Sequence, residues 1–220
     1  MSIQARSRAP IAAGTAFAVL AVAGNALQGS TPALHGDAGA VVRFYSSAPT
    51  RIAVAMMLSL ASVFFLSVFL AAFGRALDRS GAPGGWAADL ARVGSTAAVA
   101  LLAGGFALNS AGALRGWHAG PIAPEAAVVF YEGGLALSGL AAPVAMAALL
   151  AGTALVALRA GGPPRWFGWT SAALAVVGVV SPVSFVLMLL FPFWVLAGCA
   201  VLARQTSATD AEPVAAGYGR

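Results

Sequence analysis

The residues able to bind a metal ion are few in this chain and lie outside its long apolar runs. The two histidines, His35 and His118, fall in polar loops, and Asp37 is close to the first of them. Together with Glu132 they would make an acceptable site for zinc or another divalent cation. Their spacing matches no metal motif, since the sequence has no HExxH, no histidine pair four residues apart and no CxxC. Solvated loop histidines are the favoured interpretation, and a metal-dependent membrane enzyme is an alternative.

A second group of polar side chains lies close to the ends of the apolar runs. Gln28 and Asn109 each follow an Ala-Leu pair at the end of a run. Tyr45 and Tyr131 precede the next run in each case. An amide at that depth needs a hydrogen-bond partner, either on a neighbouring helix or in a cavity that holds water or a ligand. Hydrogen bonding between helices is the favoured role. A ligand-binding rim formed by these four residues with Glu132 is the hypothesis that would give a function.

Glu132 is the ionisable residue nearest to a predicted span. It is either an acid or ligand in an outer vestibule beside Tyr131, or an interfacial carboxylate that pairs with Arg43 or Arg115, and the second role is favoured. The deep portions of the apolar runs contain no Asp, Glu, Arg, His or Lys. This argues against a proton relay, a voltage sensor and a histidine-ligated haem within the membrane. The sequence leaves any cofactor unidentified.

Composition places these residues in an integral membrane protein. Of 220 residues, 60% are hydrophobic and 9% are charged, and the mean hydropathy is +0.88. A soluble domain is about 25% charged, so this chain cannot cover a soluble surface. The net charge of +5 comes from arginines scattered between apolar runs. Such arginines are expected to set membrane topology rather than to form a nucleic-acid-binding patch. Membrane lipid is therefore the expected partner, and nucleic acid is not.

The apolar runs predict an all-α bundle of about six transmembrane helices in one membrane domain, residues 1–203. The predicted spans are 10–28, 52–74, 93–114, 134–158, 166–180 and 184–203, followed by a disordered cytoplasmic tail, 204–220. The last two spans share one long run that must fold back at Ser181-Pro182, which makes the fifth span short. Gly133-Gly134 and Pro143 are the predicted positions of kinks in the fourth. Trp117, Trp166, Trp169 and Trp194 are expected as interfacial anchors. The first span is either retained, which is favoured, or a cleaved signal peptide.

Arginine placement predicts the orientation. With a cytoplasmic N-terminus, eight arginines lie inside, whereas only Arg43, Arg51 and Arg115 lie outside. The inside set is Arg6, Arg8, Arg75, Arg79, Arg92, Arg159, Arg165 and Arg204. The expected location is a bacterial plasma membrane, with both termini cytoplasmic.

The two outer loops indicate a weak duplication of spans one and two by spans three and four. Gln28 and Asn109 are 81 residues apart, and Tyr45 and Tyr131 are 86 apart. A true repeat would be parallel, about an axis along the membrane normal. Chance similarity in a chain rich in alanine and valine is the alternative.

Three stretches resemble a family of uncharacterised multi-pass membrane proteins of actinobacteria, a domain of unknown function. They are Tyr45–Leu77, ending in Gly74-Arg75-Ala76-Leu77; Tyr131-Glu132-Gly133-Gly134 with the run to Arg159; and Pro164-Arg165-Trp166-Phe167-Gly168-Trp169. Phe167 stands where these relatives usually have an aliphatic residue. The resemblance implies a six-span fold and no activity.

The leading hypothesis is a small membrane protein that binds, transports or is accessory to an apolar or amphipathic ligand through an outward-facing vestibule. Its rim would be Gln28, Asn109, Tyr45, Tyr131 and Glu132. The alternatives are the metal-dependent enzyme with His35, Asp37 and His118, and a structural subunit of an oligomer or larger membrane complex.

Overall fold

The computed structural model describes residues 3–33, 36–79, 85–118, 122–159, 163–180 and 184–210, and of 3–7, 184 and 206–210 only the backbone. In these ranges the chain forms eight α-helices and one π-helical segment, with no strand. They are α1 (Ile3–Gln28), α2 (Ala38–Ser47), α3 (Pro49–Arg79), α4 (Trp86–His118), α5 (Pro124–Leu135), the π segment (Ala136–Ala141), α6 (Ala142–Arg159), α7 (Arg165–Val179) and α8 (Ser184–Asp210). The predicted all-α class is confirmed.

Five stretches of the described chain are long and apolar enough to cross a membrane. They are Arg8–Gln28, Pro49–Arg79, Trp86–His118, Pro124–Arg159 and Phe185–Gln205. The fourth joins α5, the π segment and α6 into one continuous helical rod. Helix α7 has 15 residues, or about 22 Å, which is less than the roughly 30 Å of a hydrocarbon core. The chain is thus a polytopic bundle of five full-length helices, and α7 corresponds to the predicted short span.

The helices extend beyond the predicted spans, and glycine and proline mark several of their ends. Gly29, with a φ of 69°, ends α1 in the left-handed conformation that glycine adopts without steric cost. Pro49 begins α3 and Pro164 directly precedes α7, positions at which the missing N–H group is not needed. Helix α8 continues to Asp210, so residues 204–210 of the predicted tail are helical. The rest of that tail and the predicted turn at Ser181-Pro182 lie outside the described residues.

Helix α4 packs very closely and antiparallel against the rod of α5, the π segment and α6. A Cβ atom added to Gly94 would lie 2.8 Å from the Ala145 carbonyl oxygen, and one added to Gly105 would lie 2.7 Å from that of Gly134. At the far end of α6, a Cβ atom on Gly152 would lie 2.5 Å from the carbonyl oxygen of α4 residue 87. Only glycine fits at such distances. Membrane helices approach each other in this way because small residues let backbones make extensive van der Waals contact.

The irregular part of the rod lies next to Pro143, one of the two predicted positions, and not at Gly133-Gly134, the other. Proline has no N–H group, and its ring displaces the carbonyl one turn earlier. The helix widens just before it, where the Ala142 N–H group donates to the Leu137 carbonyl oxygen five residues back. Gly133 and Gly134 remain α-helical. The small size of Gly134 serves the contact with α4, since an added Cβ atom would lie 2.8 Å from the Gly105 carbonyl oxygen.

Aromatic side chains fill the space between α3, α7 and α8. The Trp194 ring stacks on Phe167 at 5.3 Å and on Phe191 at 5.4 Å, and meets Phe73 edge-on at 5.5 Å. Its Nε1 donates to Ser171 Oγ at 2.9 Å, so the indole N–H group is satisfied inside the bundle. Trp194 is only 2% exposed, so the predicted interfacial role for it is wrong. Trp117, Trp166 and Trp169 are exposed, as an interfacial role requires.

We expect Gly94→Ala to destabilise the protein by about 1–3 kcal/mol, because the new methyl group has to enter the contact between α4 and α6. Gly74→Ala is the matched control. A Cβ atom at Gly74 meets no atom within 4 Å, so this variant should retain stability or gain up to about 1 kcal/mol of helix propensity. The measurement is the free energy of unfolding in detergent micelles. Equal losses in the two variants would contradict the close-packing account.

Candidate functional site

The structure brings together three of the five residues predicted to form the outer rim. The Tyr45 hydroxyl donates to Asn109 Oδ1 at 3.2 Å, and Asn109 Nδ2 donates to the Gly105 carbonyl oxygen at 3.3 Å. The Tyr131 hydroxyl donates to the Pro32 carbonyl oxygen at 2.6 Å. The Phe44 ring lies between the tyrosines, with its centroid 5.3 Å from that of Tyr45 and 5.8 Å from that of Tyr131. We call these residues the outer cluster.

Helix α2, which the sequence did not predict, positions the outer cluster. Asp37 caps its N-terminus, because the carboxylate accepts a hydrogen bond from the Gly39 N–H group at 3.1 Å. Val41, Phe44 and Tyr45, at a spacing of three and four residues, form the buried face of the helix. Helix α2 packs on α4 and α5. A Cβ atom on Gly112 would lie 2.8 Å from Tyr45 Cζ, so this glycine makes room for the tyrosine ring.

The outer cluster is closely packed and largely satisfied within the protein. Tyr45, Asn109 and Tyr131 are 0%, 8% and 6% exposed, respectively. Burial raises the pKa of Tyr45 above its ordinary value, and the neighbouring Tyr131 adds to the rise. The Tyr45 phenol is therefore a neutral donor at physiological pH. These observations favour hydrogen bonding within the protein over ligand contact for the three residues, and one of the bonds, from Tyr45 to Asn109, joins two helices. Within the described ranges, the buried hydroxyl of Ser110 has no hydrogen-bond partner, which nothing in the structure explains.

The other two predicted rim residues are placed differently. Gln28 is the last residue of α1, which packs mainly on α3 and α8 rather than on α4, where Asn109 lies. Glu132 is half-buried in α5, next to Tyr131. The main connection between α1 and the outer cluster is the Tyr131 hydrogen bond to Pro32, four residues beyond Gln28.

The predicted metal residues do not come together among the described residues. Asp37 caps α2 and lies 3.7 Å from Arg43 in an exposed ion pair. The imidazole of His118 packs on the indole of Trp117 at 4.6 Å at the end of α4. In the described part of the chain, no group of three or more histidine, cysteine, aspartate or glutamate residues is placed to hold a metal ion. His35 lies outside the described residues, so the metal hypothesis stays a prediction.

A groove of about 420 Å³ lies between α3 and α4, at the end of α3 opposite to the outer cluster. It extends along α3 from Ser67 to Asp78, which is about 16 Å of helix. Its apolar lining includes Leu70, Val99 and, from α6, Leu149. We call this feature the α3–α4 groove.

The charges of the α3–α4 groove are concentrated at its mouth. Arg92 Nη2 lies 2.8 Å from Asp78 Oδ1, and its Nη1 lies 2.7 Å from Asp89 Oδ1, so two carboxylates share this cation. Arg75 also lines the groove, and its Nε donates to the Ala71 carbonyl oxygen of its own helix at 3.0 Å. Among the described residues, Arg75 forms no ion pair. The groove thus combines an apolar interior with a charged end.

The hydroxyl groups deeper in the α3–α4 groove are already satisfied. Ser67 Oγ donates to the Phe64 carbonyl oxygen at 2.7 Å, and Ser95 Oγ donates to that of Arg92 at 2.8 Å. Thr96 Oγ1 donates to the same Arg92 carbonyl oxygen at 3.1 Å. Each hydroxyl is therefore turned towards its own helix, and the wall below the arginines presents mainly hydrocarbon.

Gly74 is the residue that keeps the α3–α4 groove open. Among the helical glycines in the described ranges, it is the one at which an added Cβ atom would meet nothing within 4 Å. Glycine in a helix costs about 1 kcal/mol relative to alanine, and no close packing accounts for it here. Sequence reasoning missed this site because it assigned Arg75 and Arg92 to topology. The signal available in the sequence was Gly74. It directly precedes Arg75, the first arginine after the long apolar run of α3.

A second groove, between α6 and α7, is almost wholly apolar. Alanine and valine side chains line it, among them Val144, Ala148, Ala151 and Val176. A surface of this kind is covered in a membrane by lipid chains or by another helix. It has no charged or polar side chain to select a ligand.

Comparison of the chain with protein-family models, with curated proteins and with solved structures finds no match in any of the three. The function of the chain therefore has to be inferred from its own residues.

We expect Tyr45→Phe to destabilise the protein by about 1–3 kcal/mol, since Asn109 would lose a buried donor. A double-mutant cycle with Asn109→Ala should give a coupling energy of about 0.6–1.7 kcal/mol, the range for hydrogen bonds between membrane helices. The measurement is the free energy of unfolding of four proteins in detergent. Tyr131→Phe is the control, because its hydrogen bond does not involve Asn109. A coupling energy of zero would show that the Tyr45 hydroxyl does not stabilise the bundle.

Proposed function

We propose that this chain is a membrane protein that binds an amphipathic ligand in the α3–α4 groove. The observation that carries the proposal is the arrangement of that groove, which is about 16 Å long from Ser67 to Asp78 and in which a mostly apolar lining leads to a mouth with Arg75, Asp78 and Arg92. Binding sites of this kind are mostly apolar, with a few charged groups that fix the orientation of the ligand. An amphipathic molecule would match both parts at once.

The proposal keeps the ligand class predicted from the sequence and moves the site to the other end of the bundle. The outer cluster is closely packed, and its tyrosines and amide bond to groups of the protein itself. The α3–α4 groove has both the open volume and the charge that a vestibule would require. Transport, the structural-subunit role and the actinobacterial resemblance stay predictions.

We place the protein in a bacterial plasma membrane, with the mouth of the α3–α4 groove on the cytoplasmic side. Helices α3 and α6 end in arginines, and α7 begins with one, at the side of the bundle where that mouth lies. Positively charged residues favour the cytoplasmic side. A cysteine introduced at exposed Ser47 should then react with a membrane-impermeant maleimide in intact cells, and one at Arg165 should react only after lysis. The reverse pattern would overturn the orientation.

The binding proposal is tested with a phospholipid that carries a photoactivatable diazirine in its acyl chain. In membranes that contain the full chain, we expect cross-links to peptides from residues 67–78 and 88–99, which hold most of the groove lining. Gly74→Phe should reduce these cross-links at least fivefold, because its ring would occupy the groove. A Cβ atom at residue 74 clashes with no neighbour, so this variant should still fold.

Ala61→Phe is the matched control for Gly74→Phe. Ala61 is an exposed residue of the same helix and does not line the groove. Its substitution adds the same ring to the outer surface of the bundle, so cross-linking to the groove peptides should be unchanged. If both variants behave like the unmodified protein, the α3–α4 groove is not a binding site and the proposal fails.

A further inference from the structure

We infer that the ligand of the α3–α4 groove is an anionic phospholipid, whose phosphate Arg75 binds and whose acyl chain lies along the groove. This inference rests on the proposed function and adds the class of head group and the residue that selects it.

The charge balance leaves Arg75 as the cation available to a ligand at the mouth. Arg92 is held between Asp78 and Asp89 at 2.8 Å and 2.7 Å, so its charge is more than compensated, and Arg75 brings the sum of these four charges to zero. Arg75, on the same groove, has no carboxylate within ion-pair distance in the described part of the chain. A guanidinium group binds phosphate oxygens through paired N–H donors, which makes a phosphate group its complementary partner.

The side chain of Arg75 is already positioned for such a contact. Its Nε donates to the Ala71 carbonyl oxygen at 3.0 Å, which fixes the guanidinium group against α3. The Arg75 terminal nitrogens form no hydrogen bond to a described residue, so they are available as donors at the mouth. Less conformational entropy is lost when a ligand binds a group that is already held in place.

Position along the helix agrees with a lipid that enters from the membrane. The groove runs from the charged end of α3 towards Ser67, about 16 Å deeper in the bundle. Arginines at the ends of membrane helices lie at the level of the head groups. A phosphate at Arg75 would thus leave the acyl chain beside Leu70, Val99 and Leu149, in the part of the groove lined by hydrocarbon.

Gly74 lies where such a chain would pass. It follows Phe73, which packs in the aromatic core, and precedes Arg75, which is at the mouth. Any larger side chain at 74 would project into the groove. A polypeptide helix as occupant would fill the apolar part but would leave Arg75 without a counter-charge, so a phospholipid is the better match.

The test compares the binding of phosphatidylglycerol and phosphatidylcholine with identical acyl chains to the full-length protein, by native mass spectrometry from detergent. The component of binding that Gly74→Phe abolishes is assigned to the groove. We expect phosphatidylglycerol to bind this site about fivefold more tightly than phosphatidylcholine. One arginine near a membrane surface increases the affinity for anionic lipid by about this factor. Arg75→Gln should remove the preference, and Arg75→Lys should retain part of it.

Arg165→Gln is the matched control, since it removes one exposed arginine from the start of α7 without contact with the groove. It should leave the preference unchanged. Equal binding of both lipids, or equal effects of Arg75→Gln and Arg165→Gln, overturns the head-group inference while the proposed function stands. Absence of any Gly74→Phe-sensitive lipid binding removes the proposed function and this inference with it. Recovery of a polypeptide bound in the groove in place of lipid also overturns the inference.

Discussion

The close approach of α4 to the rod of α5 and α6 determines where the other parts of the structure lie. Apolar helices gain no hydrophobic free energy by leaving lipid for each other, so their association depends on van der Waals contact. Gly94, Gly105 and Gly152 allow that contact at three levels of the bundle. Once α4 is fixed against the rod, Asn109 lies opposite Tyr45 at one end. At the other end, α4 forms one wall of the α3–α4 groove and α3 forms the other.

Two hydrogen bonds of the outer cluster connect the first half of the bundle, spans one and two, with the second half, spans three and four. Tyr45, before the second span, donates to Asn109 at the end of the third, whereas Tyr131, before the fourth, donates to Pro32, just beyond the first. Each tyrosine therefore connects its own half of the bundle to the other half by one hydrogen bond. A parallel repeat would pair Tyr131 with Gln28 as Tyr45 pairs with Asn109, whereas Tyr131 donates to the backbone of Pro32. Helix α2 is also separate from α3, while α5 is continuous with the π segment. The duplication therefore stays a prediction.

Length and hydropathy were sufficient to predict the long helices, because a bilayer requires long apolar helices whatever their packing, but they predicted neither α2 nor the helical end of α8. They were not sufficient for contacts that depend on partners distant in sequence. Trp194 looked like an interfacial anchor because nothing local reveals Ser171, which accepts its N–H group. The sequence pairs Asn109 with Gln28 as the two amides at helix ends, whereas the fold makes Tyr45 the partner of Asn109. The groove was missed because its arginines were assigned to topology, and because only the fold distinguishes Gly74, beside open space, from the glycines that pack against a helix.

The shortness of α7 has a consequence for the surrounding bilayer. A helix of 15 residues spans about 22 Å, against roughly 30 Å for the hydrocarbon. Its neighbours α6 and α8 belong to longer stretches, so the mismatch is confined to one side of the protein. Lipids beside an α7 that crosses the bilayer would have to shorten or tilt, at a cost of a fraction of a kcal/mol for each ångström. The membrane would then be locally thinned on that side, and the protein would be more stable in a bilayer that is already thin.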